Sequence, residues 1–237
     1  VGSEMCIRDS PATARLIARE QWVQRSPEWY AVRRELLTAS DAAAALGVKP
    51  YPSYRGCPRA ELLRKKVTDA PVANMFVAHG QKYEDEARDW AAGALGETVL
   101  DVGLVRHATL PWLAASPDGA TCSGKLVEIK CPLKRDIQPG VVPHHYLPQV
   151  QVQMEVCDVD ATLFVQYKPA SLCADGRAFI DIAVVERDRE WFRRNRDALF
   201  AFWQEFMAAR GAAARASPSS PPPPHPGTCL VRDDLYL

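Results

Sequence analysis

Nothing in this chain announces a membrane, a secretory route or a metal held by thiols. No apolar run is long enough to cross a bilayer and no secretory signal is evident. The seven cysteines, Cys6, Cys57, Cys122, Cys131, Cys157, Cys173 and Cys229, are scattered, odd in number and free of any C-x-x-C pair. That pattern argues against a zinc or iron–sulfur site and against a disulfide framework. Free thiols in the cytoplasm or another reducing intracellular compartment are the expectation. Net charge is lacking too: 29 Lys and Arg balance 29 Asp and Glu, so no global field marks a nucleic-acid partner. There is no internal repeat.

The charge is uneven locally. Between positions 49 and 66, Lys49, Arg55, Arg59, Arg64, Lys65 and Lys66 face only Glu61. Such a segment can track a phosphate backbone, or it can be a solvated helix face. The length of 237 residues suits one domain with a sizeable core. Residues 1–10, VGSEMCIRDS, lack periodicity and read as a non-native leader. Residues 211–226 are Ala, Ser and Pro, a composition that cannot bury a core and reads as a disordered tail. The fold is therefore expected over residues 15–209.

Helices are expected over 27–37, 41–46 (with Ser40 as N-cap), 59–67, 80–95, 144–156 and 187–210. In the fourth, Tyr83, Ala87, Trp90, Ala91 and Ala94 make one stripe. Strands are expected over 99–105, 112–115, 126–130, 161–167 and 179–185. The order helix, three strands, helix, strand predicts an α/β layer fold with a mixed sheet. Trp22 and the aromatic residues of the last helix read as core.

The chemistry lies in Ser116-Pro117-Asp118-Gly119 and, ten residues after the aspartate, Glu128-Ile129-Lys130. Strand side chains at i and i+2 share a face, so Glu128 and Lys130 point together while Val127 and Ile129 enter a core. Asp118 and Glu128 fit the demand of a hard cation for oxygen ligands, and Lys130 can favour a nearby hydroxide. A tight turn at Gly119 would aim the aspartate. Acid-x-lysine alone is common, and a surface hairpin with a chance ion pair shares the spacing. A charge pair within so apolar a strand is costly unless compensated. His144 and His145 are adjacent and do not face one way, so they read as surface or phosphate-contacting residues. Cys131 reads as a small apolar filler.

Taken together, the motifs resemble the PD-(D/E)xK nuclease superfamily, and more closely the YqaJ/lambda-exonuclease-like alkaline exonucleases. The likeness spans residues 29–168. It rests on Trp29-x3-Arg33-x4-Thr38-Ala39-Ser40-Asp41, on Gly80-x3-Glu84-x2-Ala87, on the two motifs above and on Tyr146-Leu147-Pro148-Gln149-Val150-Gln151. The resemblance implies a restriction-endonuclease-like core and metal ligation by Asp118, Glu128 and the carbonyl of Ile129. It implies that Lys130 activates water, that Glu84 supports a second ion, and that Gln149 positions Lys130 or a bound water. Magnesium is the implied cofactor, as two ions in the family's manner, with manganese able to substitute. Arg33, Ser40 and Ser116 correspond to a pocket for a DNA 5′-phosphate. Ser40 as an N-cap would also leave free amides for an anion, although Asp41 opposes one; Tyr146 could line the site or be core. The implied activity is processive 5′-to-3′ digestion of one strand of linear double-stranded DNA for recombination. Implied partners are DNA ends, a single-strand annealing protein and, as a homotrimer, two further copies of the chain. Rival readings are a RecB-like, Cas4-like or endonucleolytic member of the superfamily, and a non-catalytic DNA-end-binding module. A Cas4-like protein carries a cysteine quartet that this spacing lacks.

Overall fold

The computed structural model describes residues 10–69 and 74–216. The leader, apart from Ser10, and the tail beyond Ala216 lie outside those residues. Ser10 belongs to the fold: it is buried, and its hydroxyl accepts from Thr13 N–H at the start of helix α1 (Pro11–Ile17). Thr13 in turn donates to the Thr121 carbonyl at 2.8 Å. The fold thus begins before residue 15 because a Ser-Pro pair starts a helix.

Helix α2 (Pro27–Arg33) has the same start, with Ser26 accepting from Trp29 N–H at 3.1 Å. It stops short of Leu37, which instead opens strand β1 (Leu37–Thr38). A 3-10 turn (Ala39–Asp41) and the short α3 (Ala42–Ala45) follow. Next come α4 (Pro58–Thr68) and the long α5 (Met75–Leu95), capped by Asn74. In the expected stripe of α5, Ala87 and Ala91 are fully buried and Tyr83 packs beside them. Trp90 leaves the stripe at 51% exposure.

The remaining elements are β2 (Val99–Leu100), β3 (Val105–Arg106), β4 (Leu113–Ala115), β5 (Gly119–Thr121) and β6 (Leu126–Lys130). A 3-10 turn (His144–Tyr146) leads into α6 (Leu147–Cys157), then β7 (Ala161–Lys168), β8 (Phe179–Glu186) and α7 (Arg189–Ala216). Five strands run β2-β5-β6-β7-β8, with β6 and β7 parallel and the other neighbours antiparallel. A second sheet runs β1-β4-β3. The mixed α/β architecture stands, but the strand expected over 99–105 is two strands in different sheets. Its middle is held elsewhere: Leu104 pairs with Trp22, the Val102 carbonyl accepts from Gln24 Nε2, and Gly103 N–H donates to Gln21 Oε1.

Gly119 is not a turn residue. It lies in β5, and an added Cβ would meet Val99 Cγ1 at 2.5 Å and the Leu100 carbonyl at 3.0 Å. Its role is close approach of β2. The main core gathers Leu37, Leu113, Leu126, Met154, Phe202 and Phe206 between the sheets, α6 and α7. Helix α7 continues past Arg210 through Gly211-Ala-Ala-Ala-Arg-Ala, which is helix-favouring apart from its glycine. The thiols of Cys57, Cys131, Cys157 and Cys173 are free. Among the described residues, no helix is long and apolar enough to cross a membrane.

Candidate nuclease site

Strand β6 presents Glu128 and Lys130 on one face, as its alternation requires. Glu128 is only 2% exposed, and a carboxylate so placed must collect donors. Its Oε1 receives the Lys130 ammonium and Gln149 Nε2, the latter at 2.5 Å. Its Oε2 receives Gln153 Nε2 at 2.6 Å. Gln149 and Gln153 are one turn apart on α6, which crosses this face of the sheet. Burial acts to lower the Lys130 pKa, but the charges of Glu128 and Asp118 outweigh it and hold the ammonium above its ordinary range. The Lys130 nitrogen also lies 5.1 Å from the centre of the Tyr146 ring.

Asp118 sits just before β5, on the edge where β5 and β6 part. Its Oδ2 accepts from Ile129 N–H at 2.6 Å. The β5–β6 register pairs Gly119 with Val127, and continued by two residues it would set residue 117 opposite residue 129. Pro117 has no N–H to give to the Ile129 carbonyl, and the N–H and C=O of one strand residue face the same neighbour. The Ile129 carbonyl therefore faces the same edge as the Asp118 carboxylate. Burial first, then the negative charges of Glu128 and Glu84, push the Asp118 carboxyl well above the usual range against the pull of Lys130. Like charges confined in this way are relieved by a cation.

Glu84 is mid-helix on α5, not at its start, so the N-terminal dipole does not account for it. The helix begins at Met75 because Asn74 supplies the cap. Glu84 lines a cleft of about 770 Å³ with Asp118, Ile129, Lys130 and Tyr146, and it pairs with Arg25 at 2.5 Å. Among the described residues, no three His, Cys, Asp or Glu side chains converge as a ready-made ligand cage. The oxygen set of Asp118, Glu128 and the Ile129 carbonyl still fits a hard divalent cation that keeps several waters.

An adjoining cleft of about 800 Å³ includes Ser40, Lys65, Tyr146 and Gln149. Arg33 Nη2 donates to Ser40 Oγ at 2.7 Å. The Arg33 guanidinium lies 4.7 Å from the centre of the Trp29 ring, and Trp29 Nε1 donates to Ser116 Oγ at 3.3 Å. Arg33, Ser40 and Ser116 are thus joined through Trp29. Ser40 is not an N-cap, however. Thr38 holds that position, and its N–H and hydroxyl donate to Asp41 Oδ2 at 3.0 and 2.7 Å. Asp41 lines the same cleft and faces Lys66 at 3.0 Å, so that ammonium offsets part of its charge. The four-residue α3 offers no anion-binding helix start.

The basic segment divides in two. Arg59 bonds Glu205 and the Ala45 carbonyl, and Lys66 bonds Asp41 and the Leu36 carbonyl; these are structural, whereas Arg64 and Lys65 line the second cleft. His145 lines both clefts. Burial, then His144, Arg135 and Lys130, depress its pKa to about 4. Sequence reasoning passed over Gln153, although its i+4 spacing from Gln149 placed both on one helical face. It also passed over Trp29 as a link and Gln24, which donates to the Pro117 carbonyl at 2.9 Å.

A mixed sheet whose parting strands bring an aspartate, a glutamate and a lysine to one edge defines the PD-(D/E)xK nuclease class of fold. Within it, the chain belongs to the YqaJ-like viral recombinase domain family, whose pattern matches residues 28–160. It is similar to the alkaline exonuclease LHK-Exo of Laribacter hongkongensis, with a TM-score of 0.63 and 29% identity over 80% of this chain and 97% of that one. The structure of LHK-Exo in complex with dAMP gives a TM-score of 0.64. Uncharacterized protein R354 of Acanthamoeba polyphaga mimivirus is 35% identical over 167 residues, 62% of this chain and 30% of that one. Protein D345L of African swine fever virus (strain Badajoz 1971 Vero-adapted) is 29% identical over 159 residues, 54% of this chain. The chain spans less than half the length of these two viral relatives, since the D345L match covers 44% of that protein.

Proposed function

We propose that this domain is a divalent-metal-dependent DNA exonuclease that degrades one strand of linear duplex from its 5′ end. The observation that carries the reading is that Asp118 accepts from the Ile129 amide beside the Glu128–Lys130 pair, on the edge where β5 and β6 part. Magnesium, with manganese as substitute, would be held by Asp118, Glu128 and the Ile129 carbonyl, with a second ion supported by Glu84. Bound there, it would polarise the scissile phosphate and make a water acidic enough to attack near neutral pH.

The chain's own residues do the rest. Lys130 keeps its proton and orients the attacking water by charge. Gln149 and Gln153 lock the Glu128 carboxylate in one rotamer, and Tyr146 covers the lysine. Arg33 grips a terminal phosphate with parallel donors, aided by Ser40 and Ser116. LHK-Exo has been crystallised with dAMP, and a mononucleotide is the product that such an exonuclease would release. A 3′ single strand left behind would suit an annealing partner in recombination, and three copies closing round the duplex would favour processive digestion.

The test is digestion of end-labelled linear duplex with magnesium, with and without chelator. Asp118→Asn and Lys130→Ala are expected to lower the rate at least about 10²-fold while DNA affinity, set by distributed phosphate contacts, changes little. Wild-type rates in either variant would overturn the site. DNA binding without cleavage by the wild-type chain would favour an end-binding module.

A further inference from the structure

The three acids of the site are balanced differently. Glu128 has an ammonium and two amides, and Asp118 has one backbone amide. Glu84 alone is met by guanidinium groups: Arg25 Nη2 lies 2.5 Å from Oε2, and Arg88 Nη2 lies 3.8 Å from Oε1. Arg88 is committed elsewhere as well, through Asp101.

Arg25 is held in place by its neighbours. Its φ of +66° is left-handed, a region a non-glycine residue occupies only when its surroundings impose it. Those surroundings are visible. Gln24 Nε2 donates to the carbonyls of Val102 and Pro117 at 3.0 and 2.9 Å, and Ser26 caps α2. The strap at residues 24–26 is therefore pinned to the residue before Asp118, and its turn aims Arg25 at Glu84. The Arg25 side chain is 45% exposed, so its guanidinium can leave toward solvent without unfolding the strap.

We propose that Arg25 is a resident counter-ion of the metal site: it holds Oε2 of Glu84 and competes with a second divalent cation for that carboxylate. Arg25 contacts only Oε2 of Glu84, but a guanidinium and a divalent cation on the same carboxylate repel each other, so the ion binds more weakly while Arg25 stays. Affinity for the second ion is then set by competition with this guanidinium, and Arg25 is a positioning residue, not a catalytic one. The proposal rests on the metal-site reading above.

Calorimetric titration of the full chain with Mn2+ in the absence of DNA tests both and separates them. The wild type is expected to bind one ion tightly and one weakly. Arg25→Ala, and Arg25→Gly, which tolerates the left-handed backbone, are expected to tighten the weak site by about threefold or more, the ratio a partly exposed charge pair supports. Arg25→Lys keeps the charge and is expected to stay near wild type. A weak site unchanged or weakened in both neutral variants, with the tight site intact and lost in Asp118→Asn, would overturn the counter-ion alone. A wild-type chain that binds no Mn2+, or an Asp118→Asn titration identical to wild type, would overturn the metal site and the counter-ion with it.

Discussion

Glu128 carries a negative charge into a strand otherwise lined by Leu126, Val127 and Ile129, and the residues around it show what that requires. Its two oxygens divide three donors between them. Gln149 is half-buried and water can stand in for its amide, whereas Gln153 is fully enclosed, with its own Oε1 without a partner among the described residues. Gln153→Leu is therefore expected to cost about 1–3 kcal/mol, the penalty of a buried charge that loses a donor, and Gln149→Leu less. Urea unfolding of both variants checks this; equal losses would mean that Gln153 is not the buried anchor of the carboxylate. Asp41 is the opposite kind of acid. Burial acts to raise its pKa, but Lys66, Arg33 and the Thr38 donors outweigh it and bring it to about 2. A depressed carboxyl stabilises the fold above its unfolded value of 3.8 and loses that contribution as pH falls toward 2. Between pH 5 and 2 the wild type is expected to lose about 2 kcal/mol more stability than Asp41→Asn, as read from denaturant unfolding at each pH. Parallel losses would contradict that account.

At the level of elements, β6 was legible to the residue because one short alternating run with a Glu-x-Lys pair leaves a single way to bury Val127 and Ile129. The 99–105 segment was not legible. Its apolar residues fit one strand, and only contacts with Trp22, Gln21 and Gln24 from far away in sequence divide it between sheets. Ser40 looked like an N-cap by residue type; Thr38 took the position because Asp41, three residues on, could bond back to it. Gly119 was assigned a turn because glycine often means one, whereas here it clears space for β2. Gly119→Ala is expected to push β2 away and cost about 1–3 kcal/mol of stability, measurable by urea unfolding. An unchanged midpoint would mean that the two-residue edge strand yields freely.

For the molecule as a whole, the site is a junction of distant segments. Residues 24–41, 84, 116–130 and 146–153 come together from two sheets and three helices. A neutral chain has no global field to draw in DNA, so recognition has to come from this local geometry. If the Arg33–Ser40–Ser116 pocket reads an end, removal of the 5′-phosphate from linear duplex is expected to slow digestion about tenfold or more, the order of a lost charge-assisted contact, and closed circular duplex is expected to resist. Equal rates with and without the phosphate would dismiss the pocket, and rapid nicking of circles would point to an endonuclease. The residue types at 118, 128 and 130, their spacing and the strand that pairs two of them follow from the sequence alone, because alternation is a local property of the backbone. What only the tertiary structure decided is who answers each charge: Gln153 for Glu128, Arg25 for Glu84, Lys66 for Asp41. Those partners lie on other elements, and a buried charge is settled by whichever donor the packing brings within reach.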